Sequence, residues 1–284
     1  MNPLIIKELT SRYGSFTSVR LTGGYTNETF LLEGIEPLRV AKVVSKNNSD
    51  FTNETRCLQR LEDTNITPKF YDLIECSNEC ISVMQYRKGT NGQVLLDQGE
   101  VELVTNLYQT LGEVLAGDIH TIKYSGGLGI KESNEQSLNL NLNFVPAELI
   151  EQSQKILSKI YDDKNEWVLT HGDFGIHNVL FSKEDGLTVL DWEWAEWGNP
   201  LNDISWVFWF THLHYPDHAP ELCEVFLKHY LEVSTISLDL SLLRAYSVYK
   251  VWKVLQKVES APFEVQNEWV RRLEWTLKSK IFKR

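Results

Sequence analysis

Between Val168 and Ala195 the chain reads VLTHGDFGIHNVLFSKEDGLTVLDWEWA, and His171, Asp173, Asn178 and Asp191 within it are side chains able to move protons or hold a metal ion. Asp173 lies five residues before Asn178, and Asp191 lies thirteen after it. A carboxamide and a carboxylate are hard oxygen donors. They are too few for a closed protein cage, but they suit Mg²⁺ shared with the phosphates of a substrate. Asp173 is then left to accept a proton. Any single acidic loop residue also serves as a cap or turn former, so these residues carry weight only as a set.

Such groups must be held at strand ends. Val168-Leu169, Val179-Leu180-Phe181 and Leu187-Thr188-Val189-Leu190 are apolar or β-branched runs of strand length, broken by Gly172, Gly175 and the turn cluster Ser182 to Gly186. The spacing predicts strand, loop, hairpin and loop, with the polar residues on the loops. Upstream, Thr22-Gly23-Gly24-Tyr25-Thr26-Asn27 joins two strand-like segments. Adjacent glycines and small polar residues there let backbone N–H groups approach a phosphate, although a turn of this composition needs no ligand. Within Leu38 to Val44 the alternation puts Val40, Lys42 and Val44 on one strand face. Glu54, Leu58 and Leu61 share the inward side of the next helix. Lys and Glu are rarely buried unless paired, so an ion pair between Lys42 and Glu54 is expected; the alternative is that both reach out to solvent.

Strand-like segments run from Phe16 to Tyr86, interrupted by one helix near Asp50 to Glu62 and preceded by a short helix over Pro3 to Tyr13. From Glu100 onward the periodicity is mostly helical, over Val101–His120, Pro146–Tyr161, Asn202–Leu213, Ala219–Glu232, Leu238–Val258 and Glu264–Lys280. The fold class expected is α+β. A small antiparallel lobe with one helix spans residues 1–87, and a larger, mainly helical lobe spans 88–284, with Gly89 and Gly92 as a hinge. The 39 acidic and 28 basic residues give a net charge of -11, which argues against a nucleic-acid partner and favours cationic small molecules if the charge is focused. No apolar run is long enough to span a bilayer and no secretory leader is evident, so no membrane partner and a cytoplasmic location are expected. The four cysteines show no metal spacing and are read as reduced thiols.

Lys42, Glu54, the His171-Gly172-Asp173…Asn178 loop and Asp191 together resemble the protein-kinase-like fold. In detail the chain is similar to the aminoglycoside phosphotransferase and choline kinase superfamily. It has His-Gly-Asp where protein kinases have His-Arg-Asp, Leu190-Asp191-Trp192-Glu193 in place of Asp-Phe-Gly, and Gly23 to Asn27 in place of a full glycine loop. Gly198-Asn199-Pro200…Asp203 resembles the segment whose Asp braces the catalytic loop, and Leu111 to His120 the helix ending near a His. Phe174-Gly175-Ile176-His177 departs from the usual loop; with the Asp-Trp metal loop it looks most like the hygromycin-type phosphotransferases.

The resemblance implies an ATP- or GTP- and Mg²⁺-dependent transfer of the γ-phosphate to a hydroxyl of a small molecule. Asp173 would be the base, and Asn178 and Asp191 the metal ligands. Lys42, fixed by Glu54, would meet the α- and β-phosphates, with Gly24, Thr26 and Asn27 over them. The connector Met84-Gln85-Tyr86-Arg87 would meet adenine through its main chain, and His171 would pack beneath the loop. The acceptor is expected to be cationic and aminoglycoside-like, with choline, thiamine or an amino sugar next, because Glu193, Glu196 and Asp203 alternate with Trp192, Trp194, Trp197, Trp206 and Trp209. Glu193 and Trp192 are the contacts expected, although Trp206 and Trp209 at helical spacing also read as core. Two readings from other classes stand beside this one. They are a metal-dependent hydrolase using His171, Asp173 and His177 or the His212, His214 and His218 cluster, and a nucleotide-binding module without catalysis. A monomer or homodimer is expected.

Overall fold

The computed structural model describes all residues except 22–27, 47, 77, 127–128, 135–136, 162 and 283–284. In chain order the elements are α1 Pro3–Tyr13, β1 Thr17–Arg20, β2 Glu28–Glu33, β3 Arg39–Ser45, α2 Ser49–Arg60, β4 Phe70–Cys76, β5 Glu79–Gln85, β6 Thr90–Asn91, α3 Gly92–Asp97, α4 Val101–Val114, α5 Ala147–Leu157, β7 Val168–Thr170, β8 Val179–Ser182, β9 Gly186–Val189, β10 Glu196–Gly198, α6 Leu201–His214, α7 Ala219–Val233, α8 Leu240–Lys257 and α9 Phe263–Lys278. The chain divides into two compact units. One comprises Met1–Gln98, Gly127–Ile130 and His177–Ala195, the other Gly99–Gly126, Lys131–Ile176 and Glu196–Arg284.

The first unit is built on a five-stranded antiparallel sheet in the order β1-β2-β3-β5-β4. β3 is central and β-branched, as a strand covered on both faces requires. Ala41 and Val43 face Ile5 and Leu9 of α1 together with Phe30, Leu32, Ile81 and Val83. On the opposite face Val44 packs on Phe51 of α2 and Cys80. α2 starts at Asn48, whose side chain accepts from the N–H groups of Asp50 and Phe51.

This unit is not a contiguous stretch ending at residue 87, because β6, β8 and β9 form a second, three-stranded sheet. Thr90 pairs with Phe181 and Asn91 with Leu180, and the Asn91 side chain donates to the His177 carbonyl at 2.7 Å. The expected hinge is therefore a pairing segment. A Cβ at Gly89 would come within 2.9 Å of the Phe181 carbonyl oxygen, so glycine is there for close approach rather than for bending. The Val189 N–H donates to the Ile66 carbonyl at 2.7 Å, tying β9 back to the segment before β4.

In the second unit, α4 packs on α7, and α8 on both α6 and α9. α6 is buried at nearly every position from Leu201 to Trp209, as expected of a helix apolar all round. β7 and β10 form a short antiparallel pair, Thr170 opposite Glu196 and Val168 opposite Gly198. α4 runs on through a π-helical segment, Leu115–Ile119, to His120. α4 meets α7 at Gly112, where a Cβ would lie 2.5 Å from the Phe226 carbonyl oxygen and 2.9 Å from the Tyr230 nitrogen. Gly→Ala in a helix ordinarily stabilises by about 1 kcal/mol. Here the sign should reverse, with Gly112→Ala costing about 1–3 kcal/mol by overpacking, read as a lower urea midpoint at unchanged slope.

Among the described residues no helix is long and apolar enough to cross a membrane. Cys57, Cys76, Cys80 and Cys223 are free thiols.

Candidate active site

In the first unit Lys42 sits in the middle of β3, opposite Thr29 on β2 and Ser82 on β5. Its Nζ lies 2.7 Å from Glu54 Oε2, 2.7 Å from Glu193 Oε1 and 3.6 Å from Asp191 Oδ1. The expected ion pair is thus present, inside a larger cluster. Burial pulls the ammonium down, but the three carboxylates more than offset this and hold it protonated. Burial also pushes the Glu54 carboxyl up, partly countered by Lys42. Three acids to one base leave surplus negative charge around Asp191.

Asp191 is the exposed member, its side chain 49% accessible, with the backbone in the left-handed region at φ 62. Asx side chains tolerate that conformation best. Three hydrogen bonds fix the chain on either side of Asp191. Asn53 of α2 donates to the carbonyls of Glu193 and Ala195, and the Leu190 N–H donates to the Asn178 carbonyl at 2.8 Å. α2 therefore supplies both the partner of Lys42 and the clamp on the Asp191 loop. Asn178 and Asp191 end strands of one sheet region, an amide and an exposed carboxylate beside surplus negative charge. That donor set fits an octahedral Mg²⁺ completed by phosphate oxygens and water. It does not fit a soft-metal cage, and no group of three His, Cys, Asp or Glu converges among the described residues.

Several expected contacts are corrected here. Trp192 is fully buried, its indole N–H donating to the Val189 carbonyl, because a side chain of that size fills the unit's interior. It offers no face to an acceptor. Glu193 is only 11% accessible and is engaged by Lys42. The Arg87 guanidinium bonds to the Asn65 carbonyl and Thr188 Oγ1, bracing the connector against β9, while the contact expected of Arg87 is through its main chain. The N–H groups of Gln85 and Tyr86 already donate to the carbonyls of Lys69 and Leu38, so these two amides are not available to adenine. Gly24, Thr26 and Asn27 lie outside the described residues.

In the second unit the loop after β7 is held by a buried acid. Asp203, in the first turn of α6, accepts from the His171 N–H at 2.7 Å and the Gly172 N–H at 2.7 Å. His120 Nε2 lies 3.2 Å from the same carboxylate, and its Nδ1 lies 2.8 Å from the Tyr230 hydroxyl. Burial alone would push Asp203 up, but His120 and His171 hold it below the usual carboxylate range. A depressed acid contributes stability that is present above its unfolded value and is lost as pH falls through its folded one. Asp203→Asn should therefore cost about 1–3 kcal/mol at neutral pH, leaving a buried amide facing a backbone N–H. The deficit should shrink once pH falls below 3.8, the ordinary value for Asp. Thermal unfolding of both proteins at pH 7 and pH 3 checks this.

Asp173 follows on that loop, half-buried, and is held from both ends. Its N–H donates to His171 Nδ1 at 3.2 Å, and the His171 side chain is buried beneath the loop. Trp206 Nε1 donates to Asp173 Oδ1 at 2.7 Å. A half-buried carboxylate fixed by an indole N–H can receive a hydroxyl proton. In the sequence Trp206 reads as core or as part of an acceptor wall; it is 5% exposed, and its polar edge carries a role that periodicity does not encode. Glu196 is also closed off, paired with Lys253 Nζ at 2.7 Å and with Asn202 at 3.0 Å. The row of acids expected to greet a cation is thus already matched inside each unit. His212 bonds to the Phe208 carbonyl and His214 lies against Phe210, so the histidine cluster is not a metal site.

Against solved structures, the chain is similar to a thermostable mutant of aminoglycoside phosphotransferase APH(4)-Ia in a ternary complex with AMP-PNP and hygromycin B, with TM-score 0.73, 16% identity and 98% and 99% of the two chains covered. It is also similar to amicoumacin kinase hAmiN in complex with AMP-PNP, Ca²⁺ and Ami, with TM-score 0.71, 13% identity and 99% and 95% covered. A third is spectinomycin phosphotransferase APH(9)-Ia with ADP, at TM-score 0.67 and 16% identity, with 95% and 92% covered. At these identities the likeness is one of fold. Acyl-CoA dehydrogenase family member 11 of Rattus norvegicus is 28% identical over 113 residues, 36% of this chain but only 14% of that protein. The Gallus gallus protein of the same name is 36% identical over 76 residues, 25% of this chain and 10% of its own length. The model of the APH family, described as a phosphotransferase enzyme family, matches residues 17–237. The chain, with its kinase-like α+β fold, belongs to the phosphotransferase enzyme family.

Proposed function

We propose that the chain is an ATP- and Mg²⁺-dependent kinase that transfers the γ-phosphate to a hydroxyl of a small molecule. The observation that carries this reading is the single buried ammonium of Lys42 against Glu54, Glu193 and the exposed Asp191. A lysine locked in place by Glu54 is preorganised for phosphate oxygens, and the charge surplus at Asp191 is what a divalent cation offsets. Asn178 and Asp191 would hold Mg²⁺, which when bound neutralises charge on the transferring phosphate. Asp173 takes the acceptor's proton, oriented by Trp206 and by the loop that Asp203 braces. Glu54 acts through Lys42 and touches no substrate.

The acceptor is a small molecule with a free hydroxyl, and the hygromycin B and spectinomycin of the structural neighbours make aminoglycoside-like compounds the first class to try. Because Glu193 and Glu196 are paired with Lys42 and Lys253, a positive charge on the acceptor is not required. The test is a phosphotransfer screen with purified protein, Mg²⁺ and ATP or GTP. The panel covers aminoglycosides, choline, thiamine, methylthioribose and homoserine, extended to neutral and acidic hydroxyl compounds. Turnover with ATP on at least one compound is expected. Nucleotide binding without turnover on any would favour a non-catalytic module, and stoichiometric zinc without nucleotide binding would favour the hydrolase reading.

A further inference from the structure

Beyond the residues this reading uses, the second unit buries a lysine directly against the loop that carries Asp173. Lys250 lies midway along α8 and is 2% exposed. Its Nζ donates to the Gly172 carbonyl, which belongs to the peptide leading into Asp173. The same Nζ stands 5.3 Å from the centroid of the Trp206 ring, the ring whose N–H is bonded to Asp173. Trp206 is itself fixed in plane. It stacks on Trp209 at 4.5 Å and 11°, and Trp209 is anchored by its Nε1 bond to Thr276 on α9 at 2.7 Å. Gly172 is thereby gripped at both ends by buried charge of opposite sign, its N–H by Asp203 and its carbonyl by Lys250, and its φ of 77 is a conformation glycine adopts without strain.

We propose that Lys250 is a positioning residue for phosphoryl transfer, its ammonium holding Asp173 in register through the Gly172 carbonyl and the face of Trp206. The inference rests on Asp173 being the base. A charge-assisted bond to a carbonyl is shorter and about twice as strong as a neutral one, and an ammonium over an indole face adds cation–π attraction. Loss of the proton from Lys250 would weaken both contacts at once, while the nucleotide residues on the other unit would be untouched.

The charged groups facing Lys250 are Asp173 on the loop, Glu196 on β10, Asp203 on α6 and Lys253 one turn further along α8. Burial pulls its ammonium down to about 7, with the three acids opposing and Lys253 assisting. The hold on Asp173 is therefore full below neutrality and released as pH rises through it. The expected signature is an alkaline limb in kcat that does not appear in KM for nucleotide.

A readout that needs no acceptor is the indole N–H of Trp206 in full-length protein labelled with ¹⁵N-tryptophan, assigned by its loss in Trp206→Phe. In the unsubstituted protein this resonance should move between pH 6 and pH 8. In Lys250→Gln, which keeps a donor for the Gly172 carbonyl without the charge, the movement should be absent. In parallel, ADP release from MgATP with the best acceptor of the screen should fall at least tenfold in kcat for Lys250→Gln, with KM for MgATP within twofold and no alkaline limb, and Lys250→Arg should restore part of the rate. A Trp206 resonance that ignores pH in the unsubstituted protein overturns the proposal, and that measurement stands even if no Lys250 variant folds. So does a Lys250→Gln protein with unchanged kcat and pH profile. Asp173→Asn run beside them separates the two ideas: activity retained there removes the base assignment, whereas loss there with a silent Lys250 removes only this inference.

Discussion

Asp173→Asn is expected to lower kcat by about 10²–10⁴, the range that a positioned general base supplies, while KM for MgATP stays within a few-fold. The substitution is nearly isosteric, and the Asn carbonyl oxygen can still accept the Trp206 indole N–H that now binds Oδ1 at 2.7 Å. The N–H of residue 173 keeps its bond to His171 Nδ1, and the loop keeps its anchor on Asp203. What is lost is the ability to take up a proton. At 1.36 kcal/mol per decade the effect amounts to about 3–5 kcal/mol of barrier, expressed in the chemical step and not in nucleotide affinity. Because the side chain is only half-buried, thermal unfolding should be little changed. Initial rates of ADP release with the best acceptor, set beside a melting curve, check the prediction. A variant with undiminished kcat would take the proton-accepting role away from Asp173.

The residues legible in the sequence are those whose neighbours are fixed by local periodicity. Lys42 could be paired with Glu54 because strand alternation and helix spacing each place one of them on an inward face, and the intervening turn is short. The loop around Asp173 and the Asp203 brace were legible through family resemblance, and the bonds from Asp203 to His171 and Gly172 give that brace its geometry. What periodicity cannot carry is which distant helix meets which strand end. Lys250 and Lys253 look like ordinary polar positions of α8; only the packing of α8 on α6 makes one the support of Gly172 and the other the partner of Glu196. Asn53 is equally silent in sequence, although it clamps the segment after Asp191. The noncontiguous first unit was hidden because its tie is the two-residue strand β6, too short to show alternation. Trp192 and Trp206 were misweighed in opposite directions. Aromatic residues beside a metal loop suggest a stacking wall, yet a wholly buried indole has no free face, and a core indole can still aim its N–H at a carboxylate.

Removing the Lys42 ammonium should have the largest effect on stability, because it leaves like charges facing one another. With Lys42→Met, Glu54 and Glu193 remain buried at 5% and 11% side-chain exposure with no cation between them. Breaking a buried pair by deleting one partner costs about 3–5 kcal/mol, and nucleotide turnover should fall with it. The pH dependence follows from the signs. Lys42 is raised above its ordinary 10.5 in the folded protein, so its contribution is complete below that value and is lost only as pH rises through the higher folded one. Across neutral pH it is constant. In the variant the dominant group is instead Glu54, deprived of its counter-charge. Burial already raises Glu54 while Lys42 is present, and without Lys42 it must rise further. A raised acid contributes stability when protonated, so the variant should be least impaired near 4.5, the ordinary value for Glu, and should lose stability steadily as pH climbs above it. Adding Glu54→Gln should recover part of the loss by removing one of the opposed charges, a positive coupling that two independent sites would not show. Urea midpoints for the single and double variants at pH 5 and pH 8 test both points. A Lys42→Met deficit equal at the two pH values, or additive with Glu54→Gln, would mean that the three carboxylates do not share Lys42 as their common counter-charge.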